Sequence, residues 1–192
     1  MQTKNFTTAT RHARARRSRQ RGVNMISLLL ALVVAAFITA VAYDQYISSA
    51  RKARVDAAKA EIVDMIAGAQ TIYGTTNQYA AVTTAIVVQS SVVPKRLRIE
   101  GTNTAQNRYN APITFAPATI TSANDSLAFG YGGVRREDCQ DLVLGVDPMT
   151  RRITIGGTEV KAADGTVDIA ALANACDSNA NSDFVMTIGR GQ

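Results

Sequence analysis

Arg21-Gly22-Val23-Asn24-Met25-Ile26-Ser27-Leu28-Leu29-Leu30 opens a run that stays free of charge as far as Tyr43. The 21 residues from Val23 to Tyr43 are apolar or small apart from a few uncharged polar side chains. At the helical rise such a run spans roughly 30 Å, enough to cross the hydrocarbon core of a bilayer. Immediately before it, residues 1–22 carry seven basic side chains (Lys4, Arg11, Arg14, Arg16, Arg17, Arg19 and Arg21) and no acid. By the positive-inside rule the leader stays in the cytoplasm and everything beyond Tyr43 is exported.

The charge balance follows from that division. The net charge of +6 belongs to the leader, because residues 23–192 hold 14 basic against 15 acidic side chains. A folded part so close to neutrality has no electrostatic footprint for a phosphate backbone, so a nucleic-acid partner is not expected. The length of 192 residues accommodates one domain with a real core plus an accessory segment. Neither a repeat nor a low-complexity tract divides it further.

Several readings of the N-terminal segment compete. A secretory signal needs a small-residue cleavage site, which Ala40-Val41-Ala42 offers, yet no Gly or Pro loosens the chain there and the run is long for a signal. Arg16-Arg17 gives a twin-arginine reading, but the apolar run does not follow it directly. An ordinary single-pass anchor also fits. The fourth reading rests on the junction itself: a basic leader, Gly22, then an apolar helix with no break into the following domain resembles the cleavage region of type IV prepilins.

That resemblance carries specific expectations. A membrane-embedded prepilin peptidase would cut between Gly22 and Val23 and N-methylate Val23, leaving 170 residues. The Val23–Tyr43 helix would then be the polymerisation segment, membrane-stored before assembly and buried among sister helices afterwards. The long leader and the non-Phe first residue resemble the type IVb branch. Partners would be other copies of the chain, the peptidase, and the inner-membrane platform with its ATPase. Location would change from the inner membrane to an extracellular pilus. One position departs from the pattern. The fifth residue after the cut is normally Glu and is here Ser27, and the apolar stretch holds no other carboxylate. A hydroxyl can hydrogen-bond a neighbour's amine but cannot neutralise it, and charge in hydrocarbon is costly. A minor pilin or a secretion pseudopilin therefore stays open beside a major subunit, as does a membrane-anchored binding module that never polymerises.

Beyond the membrane run the helical signal continues. Asp44 to Tyr73 contains no proline and one glycine, Gly68. Val55, Ala58, Ile62, Met65, Ala69 and Ile72 recur at spacings of 3 and 4, an apolar stripe able to dock on a domain. Arg54, Lys59, Glu61 and Asp64 are assigned to the solvated side. Gly74 and the TTNQ after it supply the stop. A single helix over residues 23–73 would be roughly 76 Å long.

Residues 74–192 read as the globular part. A second helix is expected from about Ala80 to Ser91, ending near Val93-Pro94. The segment YAAVTTAIVVQSSVVP (79–94) is similar to the region after the long helix in type IVb pilins, including thin-pilus and toxin-coregulated-type pilins. Strands are expected at Ile113–Phe115 extending toward Ile120, at Leu127–Tyr131, at Arg152–Ile155 and at Phe184–Ile188. Short helices are expected over Arg135–Leu144 and Asp168–Cys176, each with one of the two cysteines, Cys139 and Cys176. Two thiols in an exported domain form either one disulfide or a pair of buried free thiols. A bond would stabilise the fold by about 4 kcal/mol in the chain-entropy treatment. In the resembled family such a bond encloses a C-terminal region on the exposed face of the fibre. The expected class is α+β, the long helix covering one face of an antiparallel sheet.

Little in the sequence suggests catalysis, and no cofactor is expected. His12, the only histidine, lies in the leader, which removes Ser/His/Asp and Cys/His arrangements from the remainder. Gly130-Tyr131-Gly132-Gly133 lacks the Lys of a phosphate loop and reads as a turn at a strand end. Glu137, Asp138 and Asp141 read as a solvated helix face. Asp177 to Asp183 places oxygen-bearing side chains at alternate positions like the start of a calcium loop, but the central glycine is missing and Ile188 stands where a bidentate Glu belongs. A polar turn is the simpler assignment, and no metal site is expected.

Overall fold

The computed structural model describes residues 24–74, 79–163, 165–178 and 180–189. The leader, Gly22 and Val23 lie outside them, as do residues 75–78 of the expected helix stop. The described chain forms two units, one up to Gln45 and one from Tyr46 onward.

Helix α1 runs from Met25 to Ala69, followed by a π turn at Gln70–Gly74. Ala-rich sequence without proline explains the uninterrupted ladder. In the first unit its large apolar side chains are exposed on all sides. In the second unit the helix has a distinct inner face, where Val55, Ala58, Ile62, Met65 and Ala69 are buried as the spacing demands. Two members of the expected pattern are corrected. Ile72 is exposed, because the π turn rotates it off the stripe. Glu61, assigned to the solvent, is buried instead.

After the first helix comes α2, Thr84–Gln89, shorter than the expected Ala80–Ser91 because the Thr83 hydroxyl caps its N-terminus by accepting from Ile86 N–H. Strands β1 (Ile113–Ala118) and β2 (Ser126–Arg135) form an antiparallel pair. Helix α3 (Arg136–Val146) follows, then β3 (Arg152–Ile155) and β4 (Thr158–Lys161), α4 (Ile169–Asp177) and β5 (Asn181–Gly189). The sheet order is β1-β2-β5-β3-β4 with every pairing antiparallel. The last strand thus inserts between two hairpins made earlier. The α+β class and the long helix on an antiparallel sheet stand as expected.

Alternation within β5 puts Phe184, Met186 and Ile188 on one face, joined there by Leu127, Phe129 and Tyr131 of β2 and Ile153 and Ile155 of β3. This face and the α1 stripe share one core, in which Phe115 and Phe129 stack at 5.0 Å. The glycine-rich run 130–133 is not a turn but lies inside β2. The register shifts between Tyr131 and Val134, a bulge in which Gly133 takes φ of +72°. At Gly130 a Cβ would meet the Thr114 hydroxyl of β1, which would have to rotate aside, so the glycine eases a close cross-strand fit.

Candidate functional site

Two surfaces hold the residues singled out in the sequence. The first is the N-terminal part of α1. Asn24 begins the helix, its side chain accepting from Ile26 N–H at 3.4 Å. Ser27 sits in the first turn, exposed, with its hydroxyl donating to the Asn24 carbonyl at 2.7 Å. Thr39 does the same to the Ala35 carbonyl at 2.8 Å. Local back-bonding satisfies these hydroxyls within their own helix, which is what a polar group in hydrocarbon requires. Around them Leu28, Leu29, Leu32, Val33, Phe37 and Ile38 are each at least half exposed. By length and composition this helix is able to cross a membrane.

The second surface is the contact between the later part of α1 and α3. Asp138, read from sequence as solvated, has no exposed side-chain surface. Arg54 holds it bidentately, Nε to Oδ2 at 2.6 Å and a terminal nitrogen to Oδ1 at 3.0 Å. Tyr109 donates its hydroxyl to Oδ2 at 3.1 Å. Arg54 also reaches Glu137 at 2.6 Å, and Arg51 reaches Asp141 at 2.8 Å. The hydrogen bond to Asp138 pushes the Arg54 pKa further above its ordinary value, so the guanidinium keeps its charge throughout.

A parallel arrangement surrounds Glu61. Arg108 donates to Oε1 from two nitrogens, at 2.9 and 3.2 Å, and the Tyr131 hydroxyl donates to Oε2 at 3.0 Å. Both carboxylate oxygens are therefore satisfied in a site that is 2% exposed. The Tyr109 and Tyr131 rings meet edge to face at 6.2 Å and link the two carboxylates into one layer. Burial first, and the neighbouring carboxylates second, hold both phenols well above their usual pKa.

Cys139 follows Asp138 directly and is bonded to Cys176 of α4, with Cα atoms 5.7 Å apart. Both cysteines are buried. The disulfide ties α3 to α4, and the Arg54–Asp138 pair ties α3 to α1. Lys161 makes a third fastening: its ammonium contacts Asp147 Oδ1 at 2.7 Å and the carbonyls of Asp147 and Thr150 at 2.8 and 2.6 Å. No sequence pattern marked Lys161. For Glu61 a signal existed: it lies three residues after Ala58 and four before Met65, inside the apolar stripe.

The calcium-like stretch is otherwise engaged. Asp183 accepts the Gly133 N–H at 3.0 Å, and Asp177 lies 3.1 Å from Arg136. Among the described residues no group of three or more His, Cys, Asp or Glu is placed to hold a metal ion.

An apolar helix leading into an α+β domain whose last two helices are cross-linked is the fold that type IVb pilins have. The pilin fold is matched by a type IVb pilin from Salmonella typhi, at a TM-score of 0.52 and 19% identity, over 68% of this chain and 98% of that one. It is matched also by TcpA, a type IV pilin from Vibrio cholerae El Tor biotype, at 0.54 and 15% identity, over 70% and 98%. No curated protein matches by sequence. The family model described as PilS N terminal matches residues 52–189, and the chain belongs to that family. It is a pilin subunit.

Proposed function

We propose that this pilin is processed, stored in the inner membrane and polymerised in the manner of type IVb pilins. Prepilin peptidase cuts after Gly22, Val23 becomes the N-terminal and methylated residue, and residues 1–22 are removed. The Val23–Tyr43 helix then leaves the bilayer to pack against other copies in an extracellular fibre that serves adhesion, conjugation or motility. The role is structural rather than catalytic. The inner-membrane platform and its ATPase supply the work of assembly.

The observation that carries this reading is the all-round exposure of large apolar side chains between Met25 and Tyr43. A helix apolar on every side needs lipid or sister helices around it. Ala31, Ala35, Ala36, Ala40 and Ala42 permit the close approach that helix packing in a membrane uses. Ser27 favours a second reading, a minor pilin or pseudopilin, because its hydroxyl is committed to Asn24 and offers no charge to a neighbour's amine.

Mass spectrometry of the protein isolated from cells tests the processing step. Val23 at the N-terminus, with or without a methyl group, is the expected result. Tyr43 would indicate a secretory signal, and retention of Met1 an uncleaved anchor; either overturns the proposal. Sheared surface fibres made chiefly of this chain identify the major subunit, whereas trace amounts identify the minor one.

A further inference from the structure

The disulfide joins two helices that the rest of the fold holds very unequally. Helix α3 follows β2 without a loop and buries Leu142, Val143 and Val146 beside Cys139. Its first turn is pinned to α1 by the bidentate Arg54–Asp138 pair and by the Tyr109 hydroxyl. Beyond its far end Lys161 donates to the Asp147 and Thr150 carbonyls at 2.8 and 2.6 Å. Opening the sulfur–sulfur bond removes none of these contacts.

Helix α4 is held by much less. Of its nine residues Leu172, Ala175 and Cys176 are buried, while Ile169 is exposed. Its N-terminal end is tied to β4, where Asp168 N–H donates to the Val160 carbonyl at 2.9 Å. Beyond its C-terminal end the Ala180 carbonyl accepts from Arg136 N–H at 3.1 Å. Between those two ties stand the Leu172 side chain, the disulfide and the Asp177–Arg136 pair, whose side chains are both exposed. A surface pair of this kind holds little. A helix of nine residues does not persist in isolation, so without the disulfide one leucine and one alanine oppose the entropy of keeping α4 docked.

From this asymmetry we propose that Cys176 is the thiol through which the reduced chain is oxidised, and that Cys139 is the resolving thiol. In the reduced chain α4 lifts between its two ties and carries Cys176 into solvent, whereas Cys139 stays buried under the fastenings of α3. The partner is an oxidant that bears a disulfide. The Cys176 thiolate, its proton given to water, attacks one sulfur of that disulfide; a mixed disulfide forms and the partner's other sulfur leaves as a thiolate. When α4 settles back, the Cys139 thiolate attacks the Cys176 sulfur and the partner's remaining sulfur leaves in turn. The two electrons given up by the cysteine pair reduce the partner's disulfide to two thiols. The inference concerns the folded domain and holds whether or not the chain is cut after Gly22 or polymerises.

The test uses the full chain in detergent, reduced and freed of excess reductant, with glutathione disulfide as the probe and acid quenching before mass spectrometry. Cys139→Ala has no resolving thiol and is expected to accumulate one glutathionyl group on Cys176. Cys176→Ala is expected to take up glutathione on Cys139 at least about tenfold more slowly, because α3 opens less often than α4. Equal rates, or faster modification of Cys139, overturn the proposal. If either variant does not fold by circular dichroism, limiting iodoacetamide on the reduced wild type decides. Peptide mapping is expected to find Cys176 alkylated ahead of Cys139; equal labelling or the reverse order refutes the assignment.

Discussion

Arg54→Ala is the sharpest probe of how the C-terminal region is held to the helix. The substitution removes both charged hydrogen bonds to Asp138, at 2.6 and 3.0 Å, and leaves a carboxylate with no solvent-exposed surface. Only the Tyr109 hydroxyl at 3.1 Å and the Arg51 Nε at 3.6 Å remain near it. Breaking a buried pair from one side costs about 3–5 kcal/mol, and the residual Tyr109 and Arg51 contacts place the expectation at the lower end. For a chain of this size that lowers the thermal midpoint by roughly 6–12 °C. Removing the carboxylate as well, in Arg54→Ala with Asp138→Leu, abolishes the unpaired charge and recovers most of the loss, because an apolar replacement of a buried pair is close to neutral. The assay is a double-mutant cycle by urea or thermal unfolding of the full chain in detergent, followed by circular dichroism. A cost for Arg54→Ala below about 1 kcal/mol, the range of exposed pairs, refutes the reasoning. So does a double variant no more stable than the sum of the single losses predicts.

Other expectations follow from the remaining fastenings. Replacing Cys139 and Cys176 together by Ser releases a bond spanning 37 residues and should cost about 4 kcal/mol, read as a fall in the unfolding midpoint. Asp125 accepts backbone hydrogen bonds from Ile120, Ser122 and Thr121, and these, the Ile120 bond foremost, hold its carboxyl below the usual value of 3.8. Its stabilising contribution is complete above that value and is lost as pH falls beneath it, so Asp125→Ala should destabilise at pH 6 and approach the wild type at pH 2. Tyr109 and Tyr131 have raised pKa values, so their contribution is present below the usual value of 10.0 and lost as pH rises above it. In a spectrophotometric titration both phenols should resist ionisation near pH 10 and respond only as the domain opens; Tyr131→Phe should shallow the alkaline fall in stability. Gly130→Val should push the Thr114 hydroxyl aside and weaken the β1–β2 pairing, read as a fall in the unfolding midpoint that Thr114→Ala partly restores.

Features that depend on near neighbours along the chain are readable from the order of residues alone. An uncharged run behind a block of basic residues, an apolar stripe at spacings of 3 and 4, and alternation at 184–188 are each written in consecutive residues. The long helix and four strand positions were accordingly legible, and so were the two short cysteine-bearing helices. The rest depends on partners that only folding brings together. Glu61 meets Arg108 and Tyr131, Arg54 meets Asp138, and Thr84 meets Phe115, at separations of 31 to 84 residues. A charged residue near an apolar stripe reads as solvated until its counter-charge is known, because burial is tolerable only with that partner in place. Strand β4 escaped notice for a related reason: Thr158–Lys161 has one inward apolar side chain, Val160, and becomes a strand through its pairing with β3. The insertion of β5 between two hairpins is likewise a matter of which edges remain unfilled when the chain returns, and no local pattern records that.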